Sequence, residues 1–252
     1  MTNKRSTGKR VAIVQSCYIP WKGYFDLING VDEFILYDDL QYTKRDWRNR
    51  NRIKTPHGSA WLTIAVKVKG RYHQKIKDTM VHDRKWSERH WKSICLNYSR
   101  APGFEATRFL FQELYEECEA ETHLSRINFR FLQAIAGMIG IRTRITWSMD
   151  YDLVGTRSER LLHLCSQAGA SEYLTGPAAR NYLDESLFLE QGISVRWMDY
   201  RGYPEYGQLF TPPFIHEVSI IDLILNQGPE RAREFMLSFG STSADRTGDV
   251  RQ

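Results

Sequence analysis

Three stretches near the start of the chain constrain its fold most. VAIVQ (residues 11–15) is an apolar, β-branched run that ends in SCYIP. WKGYFDLING (21–30) carries Trp21, Tyr24, Phe25 and Ile28 at helical spacing, with Gly30 beyond the last of them, and EFILYDD (33–39) is a second apolar run. Strand, helix and strand within about 30 residues make a βαβ unit, whose strands pair in parallel through a right-handed crossover.

Further strands are expected at 61–68, 141–151, 171–176 and 193–200, and helices at 85–99, 104–118, 123–139, 157–169 and 218–226. The alternation predicts an α/β fold, a Rossmann-like and mostly parallel sheet. The helices over 85–139 follow one another without a strand, which predicts a helical insertion forming one wall of a cleft. A chain of 252 residues can bury a sizeable core, so residues 10–238 are expected to form a single domain. The basic residues 1–9 and the small, polar stretch 239–252 are expected to be a flexible leader and a mobile tail.

Composition narrows the function. The net charge of +5 comes from 35 basic residues scattered among 30 acidic ones, without a nucleic-acid recognition module, so nucleic acid is an unlikely partner and a local cluster for a small anion is favoured. No apolar run approaches the roughly 20 residues of a membrane span, and the basic start runs directly into VAIV without a signal-peptide pattern, so a cytoplasmic protein without membrane contact is expected. Cys17, Cys95, Cys118 and Cys165 lack CxxC spacing and the histidines lack HxxxH spacing, which predicts free thiols and no metal site.

In open α/β sheets ligands sit beyond the carboxyl ends of the strands. The first strand delivers Gln15 and Tyr18 there, followed by Trp21; the second delivers Asp38, Asp39 and Tyr42. Adjacent strand residues point to opposite faces, so Asp38 and Asp39 enter one pocket only if the strand ends between them. Next comes TKRDWRNRNRIK, with Lys44, Arg45, Arg48, Arg50 and Arg52 interleaved with Asn49 and Asn51. Guanidinium forks suit phosphate or carboxylate, and asparagine suits a turn or a sugar hydroxyl. The alternative is a solvated basic loop. Downstream, Thr175 and Gly176 end a strand ahead of Pro177, an arrangement that could hold an anion or merely connect two elements, with Arg180, Asn181 and Tyr182 beside it. Cys17 reads more readily as a small buried hydrophobe than as a nucleophile.

The blocks QSCYIPWKGYFDLI, DEFILYDDLQYTKRDWRNRNRIKT, WLTIAV, YLTGPAARNYLDESLF and YPEYGQLFTPPFIHEVSIIDLILNQG, spread over roughly residues 10–230, resemble the WbqC-like protein family. Many of its members carry a His-Gln-Pro-Asn-Tyr type of opening where this chain has Val14, Gln15, Ser16, Cys17 and Tyr18. The resemblance implies a transferase of bacterial surface-polysaccharide (O-antigen-type) biosynthesis. It would move an acyl or aminoacyl group, such as glycyl, to the amine of a nucleotide-linked amino sugar, from a donor that could arrive on an acyl carrier protein. The expected roles are proton transfer by Asp38, Asp39 or Tyr42, with the diphosphate on Lys44, Arg48, Arg50 or Arg52 and the sugar against Tyr18, Tyr42 and Asn51. Two other readings stay open: a nucleotidyltransferase-like enzyme using a divalent cation, and a non-catalytic module binding nucleotide sugar or RNA.

Overall fold

The computed structural model describes residues 8–240, so most of the expected leader and tail lies outside the described residues. Seven strands and eight α-helices follow in order: β1 Lys9–Val14, α1 Lys22–Asn29, β2 Glu33–Leu36, β3 Arg50–Thr55, β4 Gly58–Thr63, α2 Trp86–Tyr98, α3 Phe104–Glu119, α4 Leu124–Met138, β5 Arg144–Trp147, α5 Arg157–Gln167, β6 Ala170–Thr175, α6 Glu185–Glu190, β7 Ser194–Trp197, α7 Ile220–Gln227 and α8 Pro229–Ala232. Lys9, expected in the leader, already belongs to β1 and pairs with buried Glu33 at 2.6 Å.

Five strands form one parallel sheet in the order β5-β2-β1-β6-β7. The chain therefore lays its first three sheet strands outward from β1 through β2 to β5, then returns to the other side of β1 for β6 and β7. This is the strand order of a Rossmann-like half, and the reversal falls between β1 and β6.

The period-two pattern of the strands sorts their side chains onto two faces. Ala12, Phe34 and Leu36 face a core shared with Phe25 and Ile28 of α1, helices α2 to α4 and α7. Val11, Ile13, Ile35 and Tyr37 face a second, smaller core with Leu161 and Leu164 of α5 and Phe188 of α6. The consecutive helices expected to wall a cleft are thus the bulk of one covering layer. Their join to α7 is close: a Cβ on Gly103 would lie 2.6 Å from the Gly228 nitrogen, and Gly103 N–H donates to Leu225 O at 2.8 Å.

The stretch 50–55, for which a solvated basic loop is the alternative to a ligand-binding cluster, is β3; it pairs antiparallel with β4 in a separate hairpin. The expected strand at 61–68 ends instead at Thr63 and begins earlier, at Gly58. Gly58 turns the hairpin with φ of +109°, a conformation open to glycine. No helix among the described residues is long and apolar enough to cross a membrane.

Candidate functional site

The strand-order reversal separates the loops that leave β1 and β6, and this opening at the carboxyl edge is where an α/β sheet of this type receives ligands. The β1 loop runs from Gln15 to Trp21 and enters α1; the β6 loop begins at Gly176 and turns through a short 3₁₀ segment, Pro177–Asn181. An aromatic group lines the gap. The Trp21 ring, half-buried, meets Tyr200 at 5.2 Å and Tyr203 at 5.5 Å, both edge-on. Gly176 faces it: a Cβ there would meet only the Tyr200 hydroxyl at 3.6 Å and one ring carbon at 3.9 Å among the described residues. Burial pushes the Tyr200 phenol up to about 12, so it is a neutral donor at physiological pH. Thr175 is buried, and its carbonyl is taken by Met198 N–H at 2.8 Å. Arg180 lies over the Trp197 ring at 4.8 Å, and Tyr182 is exposed.

Arg48 closes the floor beside this gap. Its guanidinium donates from Nη1 to Gln15 O at 3.0 Å, Ser16 O at 3.4 Å and Cys17 Sγ at 3.0 Å, and its Nε approaches Asp46 at 3.7 Å. Tyr24 OH donates to the same Gln15 carbonyl at 2.9 Å. Arg48 thereby fixes the carboxyl end of β1 through Nη1, while its buried Nε has no hydrogen-bond partner among the described residues. Burial pushes the Cys17 thiol up to about 11 in spite of the adjacent guanidinium, which leaves it protonated and a poor nucleophile near neutrality.

The adjacent carboxylates do part company. Asp38 has no exposed surface and accepts from Ser16 N–H at 2.8 Å and from the hydroxyl of Ser125 in α4. Burial raises its carboxyl, against the hydrogen bonds it accepts. Asp39 points elsewhere, to Lys77 at 2.7 Å, Lys75 at 3.2 Å and Ser148 Oγ at 2.9 Å. Burial works to raise Asp39 too, but the hydrogen bonds from Lys77, Ser148 and Lys75 outweigh it and hold the carboxyl below its usual range. Tyr42 is buried, with its phenol pushed up to about 12 by that burial. Asp38 and Asp39, expected to move a proton, are tethering groups: Asp38 joins β1, β2 and α4, and Asp39 anchors the segment after residue 74.

Much of the rest of the basic run also holds structure, although Arg50 and Arg52 each keep a buried Nε without a hydrogen-bond partner among the described residues. Asn49 Nδ2 donates to Ile64 O at 2.8 Å, and Asn51 Nδ2 donates to Tyr18 O and Ile19 O at 3.2 and 2.9 Å, both asparagines being buried. Arg50 and Arg52 lie on one side of β3, as alternation requires, but they stack on tryptophan: Arg50 over Trp61 at 4.1 Å, Arg52 over Trp61 at 5.2 Å and over Trp47 at 5.6 Å. Arg52 also pairs with Glu217 at 2.9 Å, and Arg50 donates to the carbonyl of Arg45, a residue with φ of +62°. Lys44 stands exposed at the start of the run.

Tyr18, expected against a sugar, lies wholly in the core. Its hydroxyl sits 2.9 Å from His90 Nδ1 and 2.9 Å from Tyr115 OH, and His90 Nε2 lies 3.2 Å from Thr63 O. The carbonyl makes Nε2 the protonated nitrogen, so Nδ1 accepts from Tyr18. Burial holds His90 near 4, well below the usual histidine value of about 6.5. Between these values the unfolded chain binds a proton that the folded chain refuses, so this contribution is complete above about pH 6.5 and is lost as pH falls towards 4. Urea unfolding of the wild type should lose about 3 kcal/mol from this source across that window. The slope should flatten in His90→Asn; an equal slope in both proteins would remove His90 as its cause.

Two clusters escaped the sequence reading. One is buried: Asp222 accepts from Tyr98 OH at 2.6 Å, Tyr206 OH at 2.5 Å and Gln208 Nε2 at 2.8 Å. The other is an exposed groove of about 640 Å³ between Lys44 and the loop 68–74. The run of alternating cations KVKGRYHQKIK at 67–77 was its visible signal. Among the described residues no group of three or more His, Cys, Asp or Glu side chains is arranged to hold a metal ion.

A doubly wound α/β protein with an aromatic cluster beside its strand reversal is the class these features define. The chain belongs to the WbqC-like protein family, whose model matches residues 15–234. It is 53% identical over 222 residues to an uncharacterized protein of Mycobacterium tuberculosis (strain ATCC 25618 / H37Rv), Rv1507c, covering 88% of this chain and 95% of that one. No solved structure matches it.

Proposed function

We propose that the protein is a transferase of surface-polysaccharide biosynthesis that moves an acyl or aminoacyl group onto the amine of a nucleotide-linked amino sugar. The observation that carries this reading is the strand-order reversal between β1 and β6, with Trp21, Tyr200 and Gly176 beside it, at the edge where sheets of this order take nucleotides. The sugar lies against the aromatic rings. Amide formation needs a neutral amine: the nitrogen lone pair attacks the donor carbonyl, the bond to the donor's leaving group breaks, and the amine proton leaves with that group or to water. Tyr200 OH, neutral and close to Gly176, is placed to donate to the carbonyl oxygen as charge develops there.

The test is a thermal-shift titration with UDP-, dTDP- and GDP-linked amino sugars and their hydroxyl counterparts. Mass spectrometry follows, after addition of acyl-thioester and aminoacyl donors. One amino sugar should raise the melting temperature by mass action and gain the mass of one acyl group. Stabilisation by a nucleotide sugar with no mass gain from any donor would leave a binding module, and stabilisation by RNA alone would end the enzyme reading.

A further inference from the structure

Arg48, Arg50 and Arg52 are partly committed to carbonyls, a thiol and indole rings, each with a buried Nε that has no hydrogen-bond partner among the described residues, and further cations lie outside that set. They line the groove of about 640 Å³, a volume within the range of about 300 to 1,000 Å³ typical of nucleotide-sized ligands. Lys44 lines it together with Lys69, Arg71 and Tyr72 of the loop 68–74. None of these three cations makes an ion pair among the described residues, in contrast to Lys75 and Lys77, which Asp39 holds. Asp78 is the carboxylate in the lining, so the groove keeps a net positive charge.

The groove is built rather than incidental. Gln41 pairs with Lys75 in an antiparallel bridge, and its side chain donates to Tyr72 O at 2.8 Å. Tyr42 N–H donates to Gln74 O at 2.9 Å, and Gln74 Nε2 crosses the loop to Lys67 O at 2.9 Å. Gly70, with φ of +71°, makes the tip. These contacts hold Lys69 and Arg71 in the groove with Lys44 before any ligand arrives, which lowers the cost of ordering them. Tyr72 is 74% exposed and braced edge-on by His73 at 4.9 Å, an aromatic face turned to solvent beside the cations.

We propose that this groove binds the pyrophosphate of a nucleoside diphosphate-linked ligand, with Lys44, Lys69 and Arg71 on the phosphate oxygens and the Tyr72 ring against the base. It rests on the proposed function in taking that ligand to be the nucleotide-linked sugar. Three separated cations suit two linked phosphates better than one, and a single aromatic suits one base rather than a run of them. The phosphates enter along the β2 side of the sheet's carboxyl edge, where Asp39 ties Lys75 and Lys77 to the end of β2.

The experiment is calorimetric titration of the full chain with inorganic pyrophosphate, UDP and single-stranded oligo(U). It compares the wild type, Lys69→Ala/Arg71→Ala and Tyr72→Ala, with melting temperatures to show that each variant folds. UDP and pyrophosphate should bind the wild type and weaken by about tenfold or more in the double variant. Tyr72→Ala should weaken UDP but leave pyrophosphate unchanged. UDP affinity equal in wild type and double variant, no binding of either probe, or oligo(U) affinity that grows with length past that of UDP would overturn the proposal. If the double variant binds UDP normally while amino sugars are still acylated, the groove is wrong and the transferase reading stands. If UDP binding depends on the groove but no amino sugar is acylated, the groove stands without that reading.

Discussion

Asp222→Ala is expected to lower the unfolding free energy by about 3 to 5 kcal/mol, measured by urea denaturation, because it uncovers a buried polar network with a lysine inside it. Asp222 lies on α7 with no exposed surface and accepts three hydrogen bonds, from Tyr98 on α2 and from Tyr206 and Gln208 in the preceding loop. Lys54 of β3 is also buried; its Nζ donates to Gln208 Oε1 at 2.8 Å, Thr211 Oγ1 at 3.1 Å and Pro213 O at 2.6 Å, while its N–H donates to Tyr98 OH at 2.9 Å. Gln208 therefore bridges the carboxylate and the ammonium, while Tyr98 links the carboxylate to the backbone N–H of Lys54. Removing the carboxylate leaves two phenols without their acceptor, takes one of two acceptors from the Gln208 amide, which keeps Ile215 O at 3.1 Å, and leaves the ammonium without a countercharge. Asp222→Asn should cost less, since the amide oxygen still accepts. Lys54→Met should add less in the Asp222→Ala background than alone, the coupling expected of one network. A cost below about 1 kcal/mol for Asp222→Ala would show that water enters the site, and the network would then be no fastening for α7.

The βαβ start was legible because its signals are local: Trp21, Tyr24, Phe25 and Ile28 fall on one helical face, and β1 and β2 carry apolar runs of strand length. The arginine run was not, because what makes Arg50 and Arg52 a strand lies across the hairpin. Trp61 sits opposite Arg52 in the register, and its indole covers guanidinium faces that composition alone assigns to water. The carboxylates show the same divide. Asp38 and Asp39 lie in the turn beyond Leu36, where β2 has ended, so the strand pleat does not set their parting, and Ser125, which completes the burial of Asp38, is 87 residues away. A charge pattern announces that cations are present; which of them are already satisfied is a tertiary fact. This is why attention moves from Arg48, Arg50 and Arg52 to Lys44, Lys69 and Arg71.

Gly176→Phe is expected to abolish turnover of the nucleotide-linked amino sugar, by about 100-fold or more, while shifting the melting temperature by only a few degrees. The argument is steric. Gly176 has φ of −78° and ψ of 155°, an extended conformation that any residue adopts, so the substitution brings no backbone strain. Its missing Cβ points at Tyr200, with no other contact within 4 Å among the described residues. A benzyl group attached there projects towards Tyr200 and Trp21, into the space the sugar would occupy. Gly176→Ala adds one methyl at ordinary contact distance and should keep most of the activity. The pair thus separates filling the opening from disturbing β6. Full turnover in Gly176→Phe would move the reacting centre away from the β1–β6 reversal; a collapse of the melting temperature in Gly176→Ala would show that glycine is there for packing.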